Sequence, residues 1–178
     1  MNTDELLWAV ARVAGLTSFA ALAISLVTGL ALRTGVLDWL GSNRHLRSLH
    51  EYTAVLWIPL GLLHVATLIL DRTARIGLLD VVVPFRVEYG TLAIGLGTLC
   101  FDIFAVVAVT GWLKRRMNGT LWLWVHRASY LAFGLLFLHA LLAGTDFSDP
   151  IVSALTWSVA AILALLSLAR LLWGRLPA

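Results

Sequence analysis

The segment Leu49–Leu68, LHEYTAVLWIPLGLLHVATL, is apolar along most of its length and has a histidine near each end, His50 and His64. A second segment, Trp122–Leu141, WLWVHRASYLAFGLLFLHAL, repeats the arrangement with His126 and His139. The first two histidines are 14 residues apart and the second two are 13 apart. At a helical rise of about 1.5 Å per residue, each pair spans about 20 Å. That covers most of a hydrocarbon core about 30 Å thick, so each helix places one histidine near each membrane face. Ionisable side chains inside a span are rare and usually functional.

This two-level pattern predicts a di-haem arrangement. His50 and His126 would hold one haem iron, and His64 and His139 a second, because neutral imidazole is a good axial ligand for iron. The second and fourth helices of a serial bundle run in the same direction, as this pairing requires. Angular spacing fits the first helix: 14 steps of about 100° bring His64 to within about 40° of the His50 face. It fits the second less well. Thirteen steps leave His126 and His139 about 140° apart, which a bend, a π-bulge or an oblique approach would have to absorb. Pro59 removes a hydrogen bond between His50 and His64 and crowds the carbonyl of Val55, which predicts a kink. Two bland readings stand beside this one. The histidines could be polar contacts between helices, or ligands of a metal without porphyrin, although their two levels separate them.

The whole composition agrees with a polytopic membrane protein. Of 178 residues, 60% are hydrophobic and 13% are charged, which leaves no room for a sizeable soluble domain. The expectation is a single all-α membrane domain over residues 1–178, with about five transmembrane helices and two haems stacked between the second and fourth. The net charge of +3 comes from arginines at membrane edges and does not point to nucleic acid. The single cysteine, Cys100, excludes an intrachain disulfide and is expected to pack as a small apolar residue.

The expected spans are Leu6–Leu32, Arg47–Leu70, Gly90–Leu113, Leu121–Ala143 and Ile151–Trp173. Met1–Glu5 reads as a polar tail without the basic region of a signal peptide. His45 reads as a solvated loop histidine in the Arg33–Arg47 connection. Gly61 would let a flat group approach the backbone near His64. Ile76–Phe85 is too short to span and reads as an interfacial segment, or as a lid over the His64–His139 level. Asp102 stands near the middle of the third span, as a proton relay, a haem-tuning charge or a polar helix contact. Arg12, Arg47 and Arg127 are candidates to pair with haem propionates, against the simpler reading that they snorkel to the interface.

Basic residues set the orientation. Arg33, Arg44, Arg47, Lys114, Arg115, Arg116, Arg127, Arg170 and Arg175 fall on one side, and Arg12, Arg72, Arg75 and Arg86 on the other. The first side is expected in the cytoplasm, with the amino terminus outside and the carboxyl terminus inside a plasma membrane, bacterial by expectation. Trp112, Trp122, Trp124 and Trp173 would form the cytoplasmic aromatic belt. His50 and His126 then make the inner site, and His64 and His139 the outer one.

The stretches Leu49-His50-Glu51-Tyr52, Leu62-Leu63-His64, Trp124-Val125-His126-Arg127-Ala128-Ser129-Tyr130 and Phe137-Leu138-His139 resemble the ferric reductase-like transmembrane domain superfamily. That superfamily includes ferric reductases, the membrane core of NADPH oxidases and the membrane subunit of a bacterial periplasmic methionine sulfoxide reductase system. The resemblance covers roughly Leu46–Ala143. It implies two b-type haems and electron transfer across the membrane to an extracytoplasmic acceptor, a ferric chelate or a partner protein. Many members carry an extra span and a flavin–nicotinamide domain. The sequence here has no glycine-rich nucleotide fingerprint. The donor is therefore expected to be a separate flavoprotein reductase, a small carrier or membrane quinol, so that a flavin or quinone comes from a partner. The alternatives are a quinol-linked haem subunit serving a periplasmic reductase, superoxide production beside the outer haem, and a non-redox haem-binding scaffold or sensor.

Overall fold

A computed structural model describes residues 2–39 and 42–172. The described residues are all-helical, with no strand. Five helices are long and apolar enough to cross a membrane, as an integral membrane protein requires: α1 (Thr3–Thr34), α2 (Asn43–Leu70), α3 (Thr91–Trp112), α4 (Gly119–Ala143) and α5 (Pro150–Leu172). Their lengths, 32, 28, 22, 25 and 23 residues, all exceed the roughly 20 needed to span the hydrocarbon. Trp173 and Arg175, assigned above to the belt and to the charge count, lie outside the described residues.

The helix ends follow local chemistry. The expected polar tail is helical from Thr3. Asn2 Oδ1 accepts from the Glu5 backbone N–H at 2.7 Å, and Glu5 Oε2 accepts from the Asn2 N–H at 3.0 Å, a reciprocal cap. Gly35 ends α1 in the left-handed region (φ 76°), with its N–H on the Ala31 carbonyl at 2.8 Å. Helix α2 begins before its apolar run, so His45 sits in its first turn and not in a loop. It is exposed, with Nδ1 3.0 Å from Ser42 Oγ. Asn118 caps α4 through Thr120 and Leu121 N–H. Asp149 caps α5 through Ile151 and Val152 N–H, with Pro150 in the first helical position. Helix α2 continues through Pro59, and α4 is α-helical throughout, so no π-bulge absorbs the 13-residue histidine spacing.

Two compact units divide the chain. The first comprises Met1–Leu16 and Pro59–Thr145, and the second Thr17–Ile58 and Asp146–Ala178. In the first, α3 and α4 pack together. In the second, α1 buries small and apolar residues, including Ser18, Ala21, Leu22, Ser25 and Ala31, and Phe19 meets Phe147 edge to face at 6.5 Å. Hydroxyls within the spans bond back to their own helix. Thr53 donates to Leu49 O and Thr67 to Leu63 O, so neither is left unsatisfied.

The connection between α2 and α3 belongs to the first unit and is tied to α3. It holds a short 3₁₀ turn, Leu78–Val81. Asp80 accepts from Gly77 N–H at 2.9 Å and from Arg86 Nε at 3.2 Å, and its carbonyl accepts from Thr98 Oγ1 at 2.9 Å. Phe85 lies on Gly95, its ring filling the space that a Cβ would take. Relative to Ala93, Gly95 lies about 200° and Thr98 about 140° round α3, whereas Gly97 lies about 40° round. The connection therefore docks on the side of α3 away from Ala93 and Gly97. Asp102, half-buried and about 180° from Ala93, shares that side.

The Gly77 N–H and the Arg86 side chain hold the Asp80 carboxyl below the usual carboxylate range. Its contribution to loop order is complete above that range, near pH 4, and is lost as pH falls through the depressed value. Hydrogen exchange of the loop, corrected for intrinsic pH dependence, should be slow at neutral pH and rise in acid. Asp80→Asn should exchange several-fold faster at pH 7 and lose the pH dependence. An unchanged profile would show that Phe85 and Thr98 hold the loop without Asp80.

Candidate functional site

The site is best built from one repeated contact. In the first unit, His64 Nδ1–H donates to the Ala11 carbonyl at 2.8 Å. Four residues further along α1, Gly15 leaves room for the ring: a Cβ there would lie 3.0 Å from His64 Nδ1. On the other side, His139 Nδ1–H donates to the Ala93 carbonyl at 2.7 Å, and a Cβ at Gly97 would lie 2.7 Å from its Nδ1 and Cε1. The second unit repeats the contact. His50 Nδ1–H donates to the Ser25 carbonyl at 2.8 Å, and a Cβ at Gly29 would lie 3.2 Å from its Cε1. In each case the carbonyl and the glycine stand four residues apart on one helix face, and the imidazole lies on both.

The chemistry of this contact is specific. A nitrogen facing a carbonyl oxygen must carry the proton, because the oxygen can only accept. Nδ1 is therefore the protonated nitrogen, and Nε2 keeps its lone pair. This is the tautomer that a metal ligand needs, with its ring orientation fixed from behind. His64 and His139 meet in the first unit with ring centroids 6.5 Å apart and planes at 76°. A five-membered ring with bonds of about 1.35 Å has its corners about 1.15 Å from its centre. Two metal–nitrogen bonds of about 2.0–2.1 Å between two such rings require a centroid separation of about 6.3–6.5 Å. The observed 6.5 Å lies at the upper end of the separation that a collinear arrangement would need.

His126 is set differently. Its ring stacks on Trp122, one turn earlier in α4, at 5.0 Å and 15°, and the Lys114 ammonium covers Trp122 at 4.0 Å. The Trp122 Nε1 is buried without a hydrogen-bond partner. Thirteen residues along α3 from Ala93 and Gly97 stand Val106 and Thr110, so the small-residue seat that receives His139 is not repeated there. His126 belongs to the first unit and His50 to the second.

The arginines named from sequence lie beside tryptophan rings or in exposed positions. The Arg12 guanidinium lies 4.2 Å from the Trp8 ring centre, one residue beyond the carbonyl that holds His64. Arg127 is exposed and lies 5.4 Å from the exposed Trp124 ring, and Arg47 is exposed in the second unit. Cys100 is buried, with Sγ 3.0 Å from the Gly97 carbonyl. Among the described residues no three His, Cys, Asp or Glu side chains gather into a metal site.

Sequence reading found the histidines but missed their seats, Ala11 and Gly15, Ser25 and Gly29, Ala93 and Gly97. The signal was present as Ala-x-x-x-Gly, Ser-x-x-x-Gly and Ala-x-x-x-Gly in the first and third spans, the small-residue spacing that lets another helix approach. Gly61, singled out instead, is buried.

The three seats differ in tightness, which orders the cost of filling them. Gly97→Ala should lower stability most, by about 1–3 kcal/mol for overpacking, followed by Gly15→Ala and then Gly29→Ala. Thermal unfolding in one detergent checks the ranking, and equal or reversed effects would contradict it. Compared with known proteins, the chain matches no family model, no curated protein and no solved structure.

Proposed function

We propose that the chain is a b-type membrane cytochrome that moves electrons between the two faces of a membrane. In this reading His64 and His139 hold one haem at the outer level, and His50 and His126 hold a second at the inner level. The observation that carries it is the pairing of His64 with His139 at 6.5 Å, each with Nδ1–H on a helix carbonyl. Two imidazoles supply only two ligands. A six-coordinate ion there needs the rest from elsewhere, and a porphyrin provides four in one plane.

Haem, when bound, supplies the chemistry of accepting and releasing one electron at a time. The chain's own residues do the rest. The Ala11 and Ala93 carbonyls hold the imidazole tautomer and raise the basicity of Nε2. Gly15 and Gly97 set how close the rings come to the helix backbones. A haem held by a histidine on each side would leave no ligand site for oxygen at the iron, so such a site would favour electron transfer over oxygen binding. The basic-residue asymmetry supports an outer His64–His139 level and a cytoplasmic His50–His126 level. The donor in this reading is a separate flavoprotein reductase or quinol. The acceptor is an extracytoplasmic ferric chelate or partner protein, as in the ferric reductase-like superfamily that the histidine spacing resembles. A second reading has support in the Trp122 stack on His126: a single haem at the His64–His139 level, with a partner's flavin or quinone completing the path.

Haem analysis and reduced-minus-oxidised spectra of the purified protein test both readings. Two b-type haems are expected per chain. His64→Ala, His139→Ala and the double variant should each lose the same single haem. His50→Ala and His126→Ala should lose the other. One haem, insensitive to His50 and His126, would establish the second reading. No haem under haem-replete expression would refute both. Arg47→Gln and Arg127→Gln should leave haem content unchanged, because both side chains are exposed.

A further inference from the structure

We propose that Arg72, Thr73, Arg75 and Tyr89 form a binding site for an oxyanion, the carboxylate or phosphate of a small molecule or of a lipid headgroup. The site lies within the first unit, in the connection between α2 and α3, and does not rest on the haem reading. These four residues line an open pocket of about 520 Å³, within the size range of small-molecule sites.

Two arginines line the pocket. Arg72 and Arg75 are exposed, and among the described residues neither makes an ion pair. Of the carboxylates in the connection, Asp71 and Asp80 are hydrogen-bonded and act on Tyr89 through their charge, and Glu88 is exposed beside it. Asp71 is buried, and its Oδ1 accepts from the Thr73 N–H at 2.7 Å and the Ala74 N–H at 3.4 Å. Asp80 is held by Arg86 and the Gly77 N–H.

The backbone that carries the arginines is fixed. Arg75 sits in the left-handed region (φ 48°), uncommon for a residue with a Cβ. The Tyr89 hydroxyl donates to the Ala74 carbonyl next to it. Burial, with Asp71 nearby, pushes the Tyr89 phenol above its ordinary value. Two guanidiniums present planar donor forks, which match carboxylate and phosphate oxygens in pairs, and the Thr73 hydroxyl adds a donor.

Calorimetric titration of citrate, and separately of inorganic phosphate, into the full chain in phosphatidylcholine nanodiscs tests the site. One-site binding of either anion is expected, weakening with added salt. The Arg72→Gln/Arg75→Gln double variant should weaken it at least tenfold. Arg72→Lys/Arg75→Lys, which keeps the charge without the fork, should recover part of the loss. Arg116→Gln, elsewhere on the chain, should bind as the parent does. Repeating the titration in phosphatidylglycerol nanodiscs separates the sources. Unchanged affinity assigns the site to free oxyanions, and competitive loss of affinity assigns it to lipid headgroups. Absence of binding in phosphatidylcholine, equal binding by the double glutamine variant, or equal loss in Arg116→Gln would overturn the proposal.

Discussion

The contact on which the site depends is a hydrogen bond from imidazole Nδ1 to a helix carbonyl, made over a glycine one turn further on. It solves two problems at once. A polar ring inside an apolar span needs a partner, since an unsatisfied donor there costs a few kcal/mol. A ligand ring needs its other nitrogen left bare and aimed. Donating Nδ1–H to Ala11, Ser25 or Ala93 satisfies the first need and produces the second. The carbonyl is already part of the helix ladder, and only at His50 does a buried polar side chain, the Ser25 hydroxyl 3.2 Å from Nδ1, also stand behind the ring.

This constraint explains the spacing in the first two helices. Ala11 partners His64, and Ser25 partners His50, so equal steps of 14 residues separate the donors and the acceptors. Gly15 and Gly29 are separated by the same step. Fourteen residues is two heptads, the repeat that keeps one seam facing a partner helix. Helix α4 breaks the rule by one residue, and its histidines consequently meet different surroundings. His139 rests on the Ala93–Gly97 face, whereas His126 stacks on Trp122. The single-residue difference is also why the His64–His139 pair is the firmer part of the functional proposal.

Much of the fold was legible in the sequence. The apolar runs place five helices to within a few residues of their ends, because a span must be long and continuous to cross hydrocarbon. The ends themselves were misplaced where polar residues continue the helix. Asn2 and Glu5 cap α1 before its apolar run, and α2 starts ahead of Leu46, which puts His45 on a helix. The α2–α3 connection could not be read as an α3-docked loop, because that depends on the ring of Phe85 finding the missing Cβ of Gly95. The histidine pattern was visible as periodicity. The seats were not, since an Ala-x-x-x-Gly spacing acquires meaning only when the facing helix is known. Asp102 was conspicuous by residue type, yet it lies on the side of α3 away from the His139 seat.

The central claim is that His64 and His139 ligate one iron with their rings held nearly perpendicular. Electron paramagnetic resonance of the oxidised, purified protein tests it most directly. Imidazoles close to 76° would leave the two upper, incompletely filled orbitals of a low-spin ferric ion nearly equal in energy, whereas coplanar rings would split them. The account predicts a highly anisotropic low-spin ferric signal that disappears when His139 is replaced by alanine. A parent protein without that signal, or a highly anisotropic signal that survives the replacement of His139, would contradict it.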